Sequence, residues 1–266
     1  YKSPTGIVWI LGRIYSSGTP ADYKEVHALQ DKISVVPLSS YGKPYTPPPA
    51  TVDAAQDMKT AVREQVNALD AAAYFKLFAE LLKTNPAAAD DAPMLAKLAK
   101  IGVVPGQDFD AAKLDPAVAK GLAGAPKPAQ ELIMDWMKAG IVAGDFKLEH
   151  GWAFTTKTGL YGTNYIQRAL VTAIGLGANR PQDAVYPTSQ GPDIAAKYSG
   201  EKKYVMHFDK GQLPQVNGFW SLTMYDADYF FVDNKLNRYN LSQRNKFKMN
   251  PDGSVDLYIQ NESPGK

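Results

Sequence analysis

The sequence predicts a multi-domain α and β protein, with a small helical domain followed by a β-sandwich or barrel-like domain. Three observations carry this. Four prolines stand between residues 41 and 50, "YGKPYTPPPA", where no regular element survives. Alanine content and helical periodicity then rise over residues 51 to 140. From residue 204 the chain turns to short β-branched and aromatic runs separated by Gly, Pro, Asn and Asp. At 266 residues it is long enough for more than one domain.

In chain order, "GIVWILGRIY" (residues 6 to 15) reads as a buried strand, and "PADYKEVHALQDKI" as a short helix opened by Pro20. Asp70 is placed to cap a helix with Phe75, Phe78 and Leu82 on one face. Asp91 is placed to cap the next, with Met94, Leu95, Leu98 and Ile101 inward and Gly102 as its stop. "AAKLDPAVAKGLAGAPKP" reads as only loosely helical. "PAQELIMDWMKAG" reads as a helix burying Leu132, Ile133, Trp136 and Met137. A further helix follows in "YGTNYIQRALVTAIGLGANR", stopped at Gly175 to Gly177. "KYVMHFD", "FWSLTMYD", "YFFVD" and "SVDLYIQNE" are the strands, and "NPDGS" is a hairpin-turn sequence, because Asp-Gly accepts the positive φ of a tight turn.

Composition narrows the function classes. A net charge of +2 with no basic block longer than Lys202-Lys203 gives no nucleic-acid footprint. No apolar run reaches the length of a membrane span. Zero cysteines remove disulfides, thiol catalysis and Cys-ligated zinc, and fit a periplasmic or secreted protein whose leader has been cleaved.

"LPQVNGFWSLTMYDADYFFVDNKLNRYNL", "NPDGSVDLYIQNESPG", "YPTSQGPD", "IGVVPGQDFD" and the "WILGRIY" to "LQDKI" stretch together resemble a bacterial family that pairs domains of unknown function 1254 and 1214. The resemblance spans nearly the whole chain, with Gln215 and Lys235 where the family usually carries prolines. It implies the end of an immunoglobulin-like β-sandwich with a short helix and linker (1–48), a small helical domain (49–145) and a C-terminal jelly-roll β-sandwich (146–266). Family members are longer at both ends. Further polypeptide of the same protein is therefore expected to cover an open jelly-roll edge, and a homo-oligomer is the other partner class.

No nucleophile elbow, phosphate loop or dinucleotide loop occurs, and no H-x-x-x-H pair joins His27, His150 and His207. The sequence implies no cofactor. Asp226 and Asp228 form a candidate calcium pair, or the acid and base of a hydrolase; turn-forming Asp at strand ends is the plainer account.

Residues 217 to 243 hold one Trp, six Phe or Tyr, three Asp and four Asn. Alternation sends Trp220, Leu222 and Met224 inward and Phe219, Ser221, Thr223 and Tyr225 outward. Tyr225, Asp233, Asn237, Arg238 and Tyr239 are more than strand and turn composition requires. In the helix after residue 160, Ile166, Leu170 and Ala173 share one face, and Tyr161, Asn164, Tyr165, Arg168 and Thr172 the other. Two Tyr, an Asn and an Arg are residues enriched where proteins touch partners or ligands.

The candidate ligand-binding set is therefore Tyr161, Asn164, Tyr165, Arg168, Tyr225, Asp233, Asn237 and Arg238, expected to converge on a polar small molecule or glycan. The alternatives are a hydrolase using Asp or Glu pairs, with or without calcium, and a structural protein whose polar aromatic stripes are contacts only.

Overall fold

The computed structural model describes residues 2–49, 51, 53–142, 147–193, 196–227 and 230–265. The protein is a mixed α and β structure with a small helical part and antiparallel sheets. It divides into two compact units. One joins Tyr1–Phe146 to Thr155–Val185; the other joins Lys147–Phe154 to Tyr186–Lys266. The helix after residue 160 groups with the helical unit.

That first unit contains α1 (Pro20–Gln30), α2 (Val62–Asn67), α3 (Ala71–Leu82), α4 (Ala92–Ala99), α5 (Pro116–Ala123), α6 (Pro126–Val142) and α7 (Tyr165–Gly175). Local chemistry starts most of them. Thr19, Asp70 and Asp115 accept hydrogen bonds from the backbone N–H groups of Asp22, Ala73 and Ala117, and Pro20 and Pro116 open their helices. Asp115 and Pro116 make α5 a regular helix where composition suggested loose structure, and Leu122 then anchors it in the core.

The core of this unit gathers Ala71, Ala79, Val103, Phe109 and Leu122, flanked by Phe75, Phe78, Leu98, Ile101 and Leu114. Val103 is fully buried, and Phe75 lies 6.0 Å from Phe109, ring centre to ring centre. Gly102, at φ +83°, turns the chain out of α4 and into this core. In α6, Ile133 and Trp136 are half-buried, but Leu132 stays exposed; the side chain of Met137 lies outside the described residues.

The opening run departs from expectation. Residues 6 to 15 pair with no strand among the described residues, and Trp9 is 67% exposed. Gly6 and Ile7 donate their amides to the Thr84 carbonyl and the Asn85 side chain, at 2.9 Å each. β-branched composition favours a strand, but a strand exists only as part of a hydrogen-bonded ladder.

The second unit holds β1 (Lys147–Glu149), β2 (Trp152–Phe154), β3 (Thr188–Ser189), β4 (Tyr204–Phe208), β5 (Ser221–Thr223), β6 (Asn240–Ser242) and β7 (Val255–Ile259). All described pairings are antiparallel: β1–β2–β3, β4–β7 and β5–β6. The "NPDGS" turn forms, with Asn250 and Ser254 closing it through a 2.9 Å backbone hydrogen bond. It does not join paired strands, however, because β7 finds its partner in β4, far back in the chain. Trp220 and Leu222 are half-buried as alternation requires, with Trp220 stacked on Phe247 at 5.9 Å. Met224 is exposed instead, since β5 ends at Thr223 and the alternation ends with it.

His150 and Gly151 link β1 to β2 with φ of 50° and 78°, the two positive values of a type I′ hairpin turn. A Cβ on Gly151 would lie 2.5 Å from the Gly191 carbonyl oxygen and 2.8 Å from that of Pro192. Both obstacles are backbone. Gly151→Ala is expected to destabilise this unit by more than the roughly 1–2 kcal/mol of the left-handed conformation alone, whereas His150→Asn leaves it unharmed. Thermal unfolding of the two variants checks this; equal midpoints would rule it out.

Candidate functional site

The eight candidate residues fall four to each unit. On α7, Leu170 is fully buried and Ile166 and Ala173 half-buried, as the periodicity requires. Asn164 is the helix cap: its side-chain oxygen accepts from the Gln167 N–H at 3.1 Å, which accounts for its presence.

Arg168 donates to both oxygens of Asp91, at 3.1 and 2.9 Å, and to the Gly162 carbonyl. Tyr165 donates its hydroxyl to the same carboxylate at 3.1 Å, and its ring centre lies 5.0 Å from the guanidinium carbon. This is the two-pronged arrangement that makes Arg–carboxylate pairs strong. The Arg168 hydrogen bonds hold the Asp91 carboxyl below its ordinary value against the opposing effect of burial, while burial and the Asp91 acceptor raise the Tyr165 phenol.

Asp91 sits at the N-terminus of α4, where the sequence suggested a cap. Its side chain makes no capping bond and reaches α7 instead. The Tyr165–Arg168 pair thus has a complete structural account: it fastens α7 to the start of α4. Tyr161 and Arg168 also line a cavity of about 280 Å³ with Gly159, Val171, Thr172, Leu176, Gly177 and Ala178, mostly apolar in character.

In the second unit, Tyr225 and Phe231 form an isolated antiparallel bridge, and their rings stack with centres 5.4 Å apart. Tyr239 continues the row, 5.7 Å from Phe231. Tyr225, Phe231 and Tyr239 are 52%, 57% and 36% exposed, so the row faces water. The Tyr239 hydroxyl lies 3.5 Å from an Asp233 carboxylate oxygen, a contact at the limit of hydrogen bonding.

The neighbouring turn is organised by Asn234. Its side chain donates to the Val232 and Arg238 carbonyls and accepts from the Arg238 N–H. Asn237 takes the left-handed conformation at φ 48°, which Asn tolerates better than most residues. Tyr225, Asp233, Asn237 and Arg238 therefore belong to one local segment, built on the turn residues that composition emphasised. Phe231 and Asn234 were missed as members; the aromatic run and the Asn repeat were the available signals.

Asp226 accepts from the Phe230 N–H at 2.9 Å, a turn role, and Asp228 lies outside the described residues. Among the described residues, no group of three His, Asp or Glu is placed to hold a metal ion, and no helix is long and apolar enough to cross a membrane.

Residues 1–37 match the protein family of unknown function DUF1254, and residues 183–266 match the protein family of unknown function DUF1214. These are the same two domains of unknown function whose pairing the motifs resemble. It is also similar to the VPA0106 protein from Vibrio parahaemolyticus, a crystal structure, at 25% identity and a TM-score of 0.56. The match covers 93% of this chain and 56% of that one, so the chain spans little more than half the length of that protein. No curated protein matches.

Proposed function

We propose that the C-terminal unit, read as the jelly roll that the family resemblance implies, binds a polar small molecule or glycan on the Tyr225–Phe231–Tyr239 row. The exposed row of stacked rings is the observation that carries this reading. An apolar ring surface in water is costly to leave uncovered, and pyranose rings offer C–H faces that match it. Asp233 and Asn237 beside the row supply acceptors, and Arg238 supplies a fork of donors for ring hydroxyls or a sugar carboxylate. The α7 cluster is assigned a structural role in this proposal, because Asp91 occupies the Arg168 fork.

The test is thermal shift and calorimetric titration of the full chain against neutral and acidic oligosaccharides. A bound ligand raises the melting temperature by mass action. Phe231→Ala and Tyr225→Ala are expected to abolish that rise while circular dichroism stays unchanged. A panel with no responder, or a response that survives both substitutions, rules the reading out. Turnover of any glycoside or ester in the same panel would favour a hydrolase instead.

A further inference from the structure

In the second unit, β4 and β7 pair so that His207 faces Asp256 across the strands. The imidazole is gripped at both ends: Nδ1 lies 2.6 Å from Asp256 Oδ1, and Nε2 lies 3.3 Å from Asp209 Oδ1. A carboxylate only accepts, and a neutral imidazole has a single N–H. Both contacts are satisfied together only when the ring is protonated. With a neutral ring, one carboxylate faces a nitrogen lone pair.

The other Asp256 oxygen accepts from the Asn250 side-chain amide at 2.9 Å, and that amide also reaches Ser254 Oγ at 2.9 Å. Ser254, itself buried, donates to Asp252 at 2.7 Å. The His207 grip thus extends through Asp256 into the 250–254 turn. The charged groups touching the ring are Asp256 on β7 and Asp209 just after β4, and Asp252 in the turn feels its charge; Lys210 lays its stem against Gly253.

We infer that His207 is a proton-operated latch, in which the imidazolium clamps β4 to β7 and to the 250–254 turn, and the neutral ring releases the Asp209 arm. The carboxylates act in the same sense. Asp256, and after it Asp209, raise the His207 pKa, and His207, then Asn250, lower that of Asp256. A raised histidine pKa gives stabilisation that is complete below the unfolded value of about 6.5 and is lost as pH rises through the folded value. The lowered Asp256 value sets the other limit: its contribution is lost as pH falls through that value.

The full chain tests this by histidine-ring NMR and by melting temperature against pH. His207 is expected to titrate above the ordinary histidine value of about 6.5, and Asp256→Asn to return it toward that value. The melting-temperature difference between the wild type and His207→Gln should be largest below about pH 6.5 and shrink as pH rises through the raised His207 value. Should His207→Gln fail to fold, Asp209→Asn removes only the exposed arm and is expected to lower the His207 titration on its own. A His207 that titrates at or below about 6.5, or a melting difference independent of pH, overturns the latch.

Discussion

Arg168→Ala is expected to lower the unfolding free energy by about 2 kcal/mol, between the 3–5 kcal/mol of a broken buried pair and the 0–1 of a surface pair. The reason is asymmetry. The Asp91 side chain is 12% exposed and that of Arg168 36%, so the substitution takes the charged partner from a nearly buried carboxylate and leaves it the Tyr165 hydroxyl. In melting temperature this is roughly 4–8 °C for a chain of this size. Arg168→Lys keeps the charge but loses the fork, and should recover only part of the loss. A double-mutant cycle with Asp91→Ala isolates the pair. A change within about 1 kcal/mol for Arg168→Ala, as for an ordinary surface residue, would instead return Arg168 to the pool of ligand-binding candidates. The sign with pH follows from the lowered Asp91 value: the contribution is full above the unfolded carboxylate range and is lost as pH falls through the folded value.

Phe109→Ala is expected to have the larger effect, about 3 kcal/mol or more. Phe109 is 6% exposed and packs near the ring of Phe75 within the core cluster of the helical unit. Removing the ring leaves a cavity that alanines on α3 are too short to fill. Phe109→Leu should lose less than half as much, because it keeps most of the apolar volume. Chemical denaturation monitored by helical circular dichroism reads this directly; a loss below about 1 kcal/mol would place Phe109 outside the core.

Asp70, Asp115 and Thr19 show how local the legible part of the fold is. Each caps its helix through a backbone N–H two or three residues away, so the signal needs nothing beyond the neighbouring sequence. The inward face of α7 and the Asp-Gly turn at 252–253 are equally local. The same holds for half of the candidate site: Tyr225, Asp233, Asn237 and Arg238 lie within one short segment, with Asn237 and Arg238 in the turn that Asn234 organises.

Asp91 shows where locality fails. Its sequence position signals a cap, yet its carboxylate serves Arg168 and Tyr165, more than seventy residues on. Ile7 to Leu11 show the same limit from the other side: strand composition that meets no partner strand among the described residues leaves an exposed segment. His207 looked like an isolated histidine until β4 met β7 and set it between two carboxylates. Helix starts, turns and amphipathic faces are legible in the residues alone, because they depend on backbone and side-chain chemistry within a few positions. The tertiary structure alone decided which strand pairs with which, and which charge meets which. Those outcomes depend on distant groups arriving in register, and a linear pattern does not encode that register where several partners of equal chemistry compete.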